Sequence, residues 1–293
     1  MAEIQYSIQH SFQRYEKKFI LTPEQYREIL PDLLKRMDEE IYGLHTVCNI
    51  YYDTPSYELI RTSIDAPVYK EKFRLRSYGV PESQDYIYAE IKKKYAGIVY
   101  KRRVEGHPGE IQEFLDRKRA FSHDRQIQGE ILWFLQSYQP TPKVFIGYER
   151  KAFLGRQDKD LRITFDWNIR WRNEALDLMW GDEGEPVLPE ERIVMEVKIA
   201  QAMPLWLSRL LSTHQIYPTS FSKYGTCYQR HIAASFAGLS HCAVNAKENL
   251  ISKNGGEKYV EQYYDRSDHS AAAAYLPDNS DGARCADRHS VFV

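Results

Sequence analysis

Segment after segment of this chain alternates an apolar side chain with a charged one. In "KFRLRSYG" (72–79), Phe73 and Leu75 take one parity, and Lys72, Arg74 and Arg76 the other. In "IVMEVKI" (193–199), Met195, Val197 and Ile199 alternate with Glu196 and Lys198. Side chains on a strand point alternately to opposite faces, so each segment has one apolar face and one charged face. The charged parity elsewhere holds Arg14, Glu16 and Lys18, then Glu90, Lys92 and Lys94, then Lys101, Arg103 and Glu105. Arg150 follows, and then Arg162, Thr164 and Asp166. Together these positions carry twelve basic and five acidic residues. An ordinary wet sheet face mixes hydroxyls, amides and both signs of charge. Bases gathered on neighbouring strands repel one another. That cost makes sense if a polyanion sits among them.

The segments between the strands are helical in pattern. "TPEQYREILPDLLKRM" (22–37) has a Thr cap and Pro at its first helical position. Pro31 is expected to kink or divide it. "GEIQEFLDRKRA" (109–120), "RQIQGEILWFLQSY" (125–138), "MPLWLSRLLSTHQI" (203–216) and "SFSKYGTCYQRHIAA" (220–234) also read as helices. Such amphipathic helices must cover something apolar. If they cover the apolar strand faces from outside, the charged faces point inward. The predicted fold is therefore α+β: a closed or nearly closed antiparallel β-barrel, or tunnel, with a basic, water-filled interior and helices outside. Closure would remove the exposed sheet edges. Ala96-Gly97 marks a hairpin turn. The expected organisation is an N-terminal extension (1–11), the tunnel domain (12–240) and a disordered or weakly ordered polar tail (241–293).

A formal net charge of -1 argues against a nucleic-acid binder. Four cysteines without zinc or C-x-x-C spacing suit a reducing, cytoplasmic setting. No signal peptide, direct membrane insertion or P-loop is expected. His45, His107, His123 and His214 are expected at the surface, and Asp53 as a cap for the turn at Thr54-Pro55. Carboxylates among so many bases can simply pair with them. Hard oxygen ligands are also what Mg²⁺ or Mn²⁺ takes, often only one or two, with phosphate and water completing the shell. Glu196 is the first candidate metal ligand and Glu16 the second.

"RYEKKF", "YYDTPSYELIR", "KFRLRSYG", "AEIKKK", "YERKAF", "LRITFD", "MEVKI" and "FSKYG" occur in this order. Together, over about residues 12–232, they resemble the catalytic domain of the vacuolar transporter chaperone (VTC) polyphosphate polymerases, within the triphosphate tunnel metalloenzymes (the CYTH-like group). The resemblance implies an antiparallel tunnel. It also implies transfer of the γ-phosphate of ATP to a growing polyphosphate chain, with release of ADP and the help of one divalent ion, Mn²⁺ or Mg²⁺. Carried over by motif, the phosphate clamps would be Lys18, Arg74, Arg76, Lys92, Lys101, Arg150, Arg162, Lys198 and Lys223. Lys94 and Arg103 are alternatives to Lys101. Tyr148 would add a phosphate contact, Ser222 precedes the last lysine, and Glu196 would hold the metal.

The sequence departs from the group at one point. Tunnel hydrolases and cyclases usually open with Glu-x-Glu-x-Lys, where this chain has Arg14-x-Glu16-x-Lys18. One carboxylate has become a phosphate donor. This argues against two-metal activation of water and for a single-metal phosphoryl transfer whose nucleophile is itself a phosphate. The alternatives are a tunnel triphosphatase or nucleotide cyclase, and a non-catalytic polyphosphate-binding module. Eukaryotic members of the family carry a regulatory domain and a membrane segment. This chain shows neither, so it is expected to be free-standing or one subunit of a complex, such as one with a membrane subunit.

Overall fold

A computed structural model describes residues 15–96, 98–117, 124–188 and 191–235. The expected extension, Arg14, Gly97, His123 and the expected tail lie outside the described residues. The chain runs β1 (Tyr15–Leu21), α1 (Pro23–Leu34), β2 (Met37–Glu39), β3 (His45–Asp53), α2 (Glu58–Ile64), β4 (Tyr69–Tyr78), β5 (Ile87–Tyr95) and β6 (Ile98–Gly106). It continues α3 (Pro108–Arg117), α4 (Arg125–Tyr138), β7 (Thr141–Gly155), β8 (Arg162–Arg172), a 3₁₀ turn (Leu178–Trp180), β9 (Glu185–Pro186) and β10 (Ile193–Ile199). Last come α5 (Leu205–Thr213), β11 (Pro218–Thr219), α6 (Lys223–Cys227) and a π-helical turn (Tyr228–Ile232).

The strands form one antiparallel sheet in the order β11-β1-β10-β8-β7-β3-β4-β5-β6, with β2 on β7 and β9 on β8. The alternation puts the charged parity on one side throughout. Glu196 lies opposite Lys18 on one neighbour and Thr164 on the other, so all three share a face. The sheet curls until β5 approaches β1, bringing Lys92 within 3.9 Å of Glu16. The hydrogen-bonded ladder ends at β11 and β6 and does not close. The expected removal of edges by closure is thus corrected: side chains, not backbone pairs, meet across the seam.

The outer face is covered as the amphipathic patterns require. Ile29 and Leu33 of α1 and Leu207 and Leu211 of α5 pack on Phe19, Ile163, Phe165, Met195 and Val197. Ile111 and Phe114 of α3 and Ile131 and Phe134 of α4 pack on Ile50, Phe73, Leu75, Ala89 and Ile91. α1 begins in a capping box, with Thr22 accepting from Gln25 N at 3.2 Å and Gln25 Oε1 accepting from Thr22 N at 3.0 Å. Pro31 lies inside α1 without dividing it. The dividing effect expected of Pro31 is not found.

The interior corrects a second expectation. It is not water-filled from end to end. Val47, Tyr51, Ile146, Tyr148 and Val194 share the inner side, and they pack against Phe221, just before α6, against Tyr224, Cys227 and Ile232 of the last helical segment, and against Ile60 of α2. The last segment therefore occupies part of the concave side. A bulge explains why the parity rule stops at Asp166. Asn168 has φ 45°, and the β7–β8 register shifts between Gly147 and Glu149. Beyond it, Arg170 and Arg172 turn away, and Trp171 joins the inner cluster.

Asp53 anchors this arrangement. Its carboxylate accepts from Thr54 N, Leu59 N and Ile60 N at 2.8, 2.9 and 3.0 Å, capping α2, and from the Tyr224 hydroxyl at 2.9 Å. The capping role read from the sequence holds, but its reach is longer: it ties β3 to α2 and α6. α2 itself was not foreseen, because "YELIRTSI" is too short to show a period.

Candidate active site

The concave side gathers every candidate among the described residues. At one part of it, β1 and β10 present Glu16, Lys18, Glu196 and Lys198. Glu196 Oε1 lies 3.1 Å from Lys198 Nζ, and Oε2 lies 4.0 Å from Lys18 Nζ. Lys18 also sits 3.4 Å from Glu16 and donates to the Phe221 carbonyl at 3.1 Å. One ammonium thus stands between two carboxylates. Burial works against the charge on Glu196, but Lys198, Lys18, Arg150 and Lys223 overcome it and hold the carboxyl well below its usual range.

β7, β8 and α6 build a second cluster around Asp166, which is fully buried. It takes both arms of Arg150, at 2.6 and 2.8 Å, and Lys223 at 2.5 Å. Arg150 and Lys223 both lie over the Tyr148 ring, at 5.1 and 4.4 Å. Burial raises the Tyr148 hydroxyl, but Arg150, Arg76 and Lys223 outweigh it and bring it down to about 8. In the sequence Asp166 is one more member of the charged parity, and nothing there marks it as the shared anchor of two clamps.

A third cluster centres on Glu90, 1% exposed. Arg74 donates to it twice, at 2.9 and 2.7 Å, with Arg76 3.8 Å and Lys101 2.8 Å away. Tyr51 accepts from Arg74 at 3.0 Å, and Asn49 accepts from Arg76 at 2.9 Å. Arg76 also reaches the Tyr148 hydroxyl at 3.3 Å. Of the open assignments for the β6 clamp, Lys101 is the side chain that joins this cluster, while Arg103 stacks over Tyr88.

Lys72, marked in the sequence only by its parity, is half-buried on the same side. It donates to Ser222 Oγ at 3.1 Å, and the same hydroxyl caps α6 by accepting from Gly225 N at 3.2 Å. A Cβ at position 225 would come 3.3 Å from that oxygen, which accounts for the glycine of "FSKYG". Burial, then Lys70, Lys18, Lys92 and Arg74, push the Lys72 ammonium down to about 7. Burial likewise pushes Lys101 down to about 8, partly opposed by Glu90. Arg162 is held by Glu40 through two bonds of 2.6 and 3.1 Å. His45, His107 and His214, expected at the surface, are half-buried, and His45 lies opposite Arg150 in the β3–β7 ladder.

Cations on this side outnumber carboxylates. Glu16, Glu90, Asp166 and Glu196 are each already engaged by one or more of them, so a polyanion would meet fixed, directional donors in a partly desolvated groove. No group of three or more metal-binding side chains occurs among the described residues. Glu196 and Glu16 nevertheless suit a hard divalent ion, which needs one or two carboxylates when phosphate and water supply the rest. Thr164 supports that fit: its hydroxyl is buried beside Glu196 without a hydrogen-bond partner.

No helix among the described residues is long and apolar enough to cross a membrane. No curated protein matches the chain in sequence. Solved structures are similar at low identity. One is a Bacillus halodurans protein assigned as an adenylate cyclase (12% identity, 72% of this chain and 95% of that one, TM-score 0.45). Another is a Hippeastrum adenylyl cyclase homologue with a dominant triphosphatase activity (14%, 73% and 94%, 0.41). A third is the Mimivirus capping enzyme triphosphatase (9%, 68% and 88%, 0.31). The profile of the VTC domain matches residues 13–232, a span that contains every charged strand described above. The chain belongs to the VTC domain family.

Proposed function

We propose that the chain is a polyphosphate polymerase that moves the γ-phosphate of ATP onto the end of a polyphosphate chain and releases ADP. The observation that carries this reading is the set of cations anchored by Glu90 and Asp166 on the same concave side as an ionised Glu196. Arg74, Arg76, Lys101, Arg150 and Lys223 are held in place by Glu90 and Asp166 before any substrate arrives. Such preorganised donors stabilise charge without reorganising during the reaction. Lys18, Lys72, Lys92, Lys198 and Ser222 extend the groove, and a linear chain of phosphates can lie along it. Arg162 flanks the same side.

In the transfer, a terminal polyphosphate oxygen bonds to the γ-phosphorus as the bond from that phosphorus to the bridging oxygen breaks. ADP leaves with the electron pair. The nucleophile is already ionised, so no general base is required. This agrees with the carboxylates present: Glu90, Asp166 and Glu196 are all held below the usual range, which makes them poor proton acceptors at neutral pH. Positioning and charge neutralisation carry the chemistry. A Mn²⁺ or Mg²⁺ ion at Glu196, with Glu16 beside it, would neutralise phosphate charge when bound. Buried, unpaired Cys48 and Cys227 suit a cytoplasmic setting.

The test is product analysis with radiolabelled ATP, Mn²⁺ and a short polyphosphate primer. Labelled long-chain polyphosphate with equimolar ADP supports the proposal. Orthophosphate as the sole labelled product would overturn it in favour of a triphosphatase, and binding without turnover would point to a sensing module.

A further inference from the structure

Toward the end of β4 away from the Lys72–Ser222 contact, the charged side gives way to aromatic rings. Tyr78 follows Arg76 on the same side of β4, and Tyr88 precedes Glu90 on the same side of β5. His45 lies opposite Arg150 in the β3–β7 ladder. Tyr42 stands in the loop before β3. The rings form a chain, with centroids 6.4 Å apart for Tyr42–His45, 6.0 Å for His45–Tyr78 and 5.7 Å for Tyr78–Tyr88. All three pairs meet edge-on, at 73°, 61° and 72°. The Arg103 guanidinium lies 4.6 Å over the Tyr88 ring.

These rings are not core. None belongs to the three apolar clusters, and Tyr42 and Tyr78 are 71% and 51% exposed. An edge-on pair covers at most one face of one of its two rings, and the exposure of Tyr42 and Tyr78 leaves ring surface in solvent for a flat partner. Two residues along a strand span about 7 Å, so the rim begins one ribose's reach from the phosphate clamps Arg76 and Arg150. A polyphosphate chain has no π-face and gains nothing from such a rim, whereas a nucleobase stacks on aromatic and guanidinium planes.

We propose that Tyr42, His45, Tyr78, Tyr88 and Arg103 form a nucleobase site, which takes the purine of the nucleoside triphosphate donor while its phosphates occupy the clamps. The site gives the groove a direction: the nucleotide enters at the aromatic rim, and the acceptor chain approaches from the side of Lys72 and Lys92. This inference rests on the tunnel being a phosphate-binding site, as argued above.

The experiment compares ATP with inorganic triphosphate by calorimetry, each with Mn²⁺, on the wild-type protein, Tyr78→Ala/Tyr88→Ala and Tyr78→Phe/Tyr88→Phe. Wild type is expected to bind ATP more tightly than triphosphate. The double alanine variant should lose roughly five- to a hundredfold in ATP affinity, keep triphosphate affinity within about twofold, and regain ATP binding as the phenylalanine pair. Equal losses for both ligands, or ATP affinity untouched in the alanine variant, would overturn the base site and leave the tunnel reading intact. Failure of triphosphate itself to bind wild type would overturn the tunnel reading, and this site with it.

Discussion

Lys72 makes the groove a proton-linked anion site, and the linkage can be worked out. In the free protein its ammonium is down at about 7, because it is partly desolvated and faces Lys70, Lys18, Lys92 and Arg74; its hydrogen-bond acceptor there is Ser222. A bound polyanion reverses that field and restores the charge. At pH 8 roughly nine in ten Lys72 side chains are neutral before binding, so binding takes up close to one proton there. Calorimetry of triphosphate binding at pH 8, in buffers of different ionisation heat, should therefore give a buffer-dependent enthalpy. Lys72→Met should remove most of it. The titration of triphosphate itself cancels in the ratio of wild-type to Lys72→Met affinity, which should fall about tenfold between pH 6 and pH 8. The same group sets a sign for stability. The folded state binds fewer protons than the unfolded one from about pH 7 to the ordinary lysine value of about 10.4, so stability rises with pH across that window. Lys72→Met should flatten the rise. A buffer-independent heat with a pH-independent affinity ratio would refute the reasoning.

Asp166→Asn leaves Arg150 and Lys223 buried without their counter-charge and should cost about 3–5 kcal/mol in urea unfolding; a loss below about 1 kcal/mol would mean that Asp166 is not their anchor. Asp53→Ala removes the acceptor of two α2 amides, that of the Thr54 amide and the Tyr224 tie, and should cost about 2–3 kcal/mol with weakened amide-exchange protection in α2 and α6. Glu90, Asp166 and Glu196 have depressed folded values, so their contribution is full above the ordinary carboxylate range. It is lost as the pH falls below about 4. A Glu90→Gln variant should show a shallower acid transition in circular dichroism.

The strand alternation made the fold and much of the site legible. Met195, Val197 and Ile199 against Glu196 and Lys198 fixed which way that strand faces, and the same rule placed Arg74, Arg76, Lys92 and Lys101 together. What escaped the sequence follows from physics that alternation does not encode. A bulge at Asn168 reverses parity without any warning in composition. The packing of Phe221, Tyr224 and Ile232 inside the sheet depends on an Asp53–Tyr224 bond between distant residues. Asp166 and Lys72 looked like further members of a charged ladder. Only their burial and partners show one to be an anchor and the other a titrating cation.

The most direct test of the central claim is the fate of the γ-phosphate in Glu196→Gln beside wild type, with ATP and Mn²⁺ and with triphosphate binding measured in parallel. Wild type should place the label in polyphosphate and release ADP, while Glu196→Gln should still bind triphosphate and lose turnover by a hundredfold or more, on the order of removing one principal transition-state contact. Label appearing only as orthophosphate, or turnover persisting in Glu196→Gln, would contradict the account.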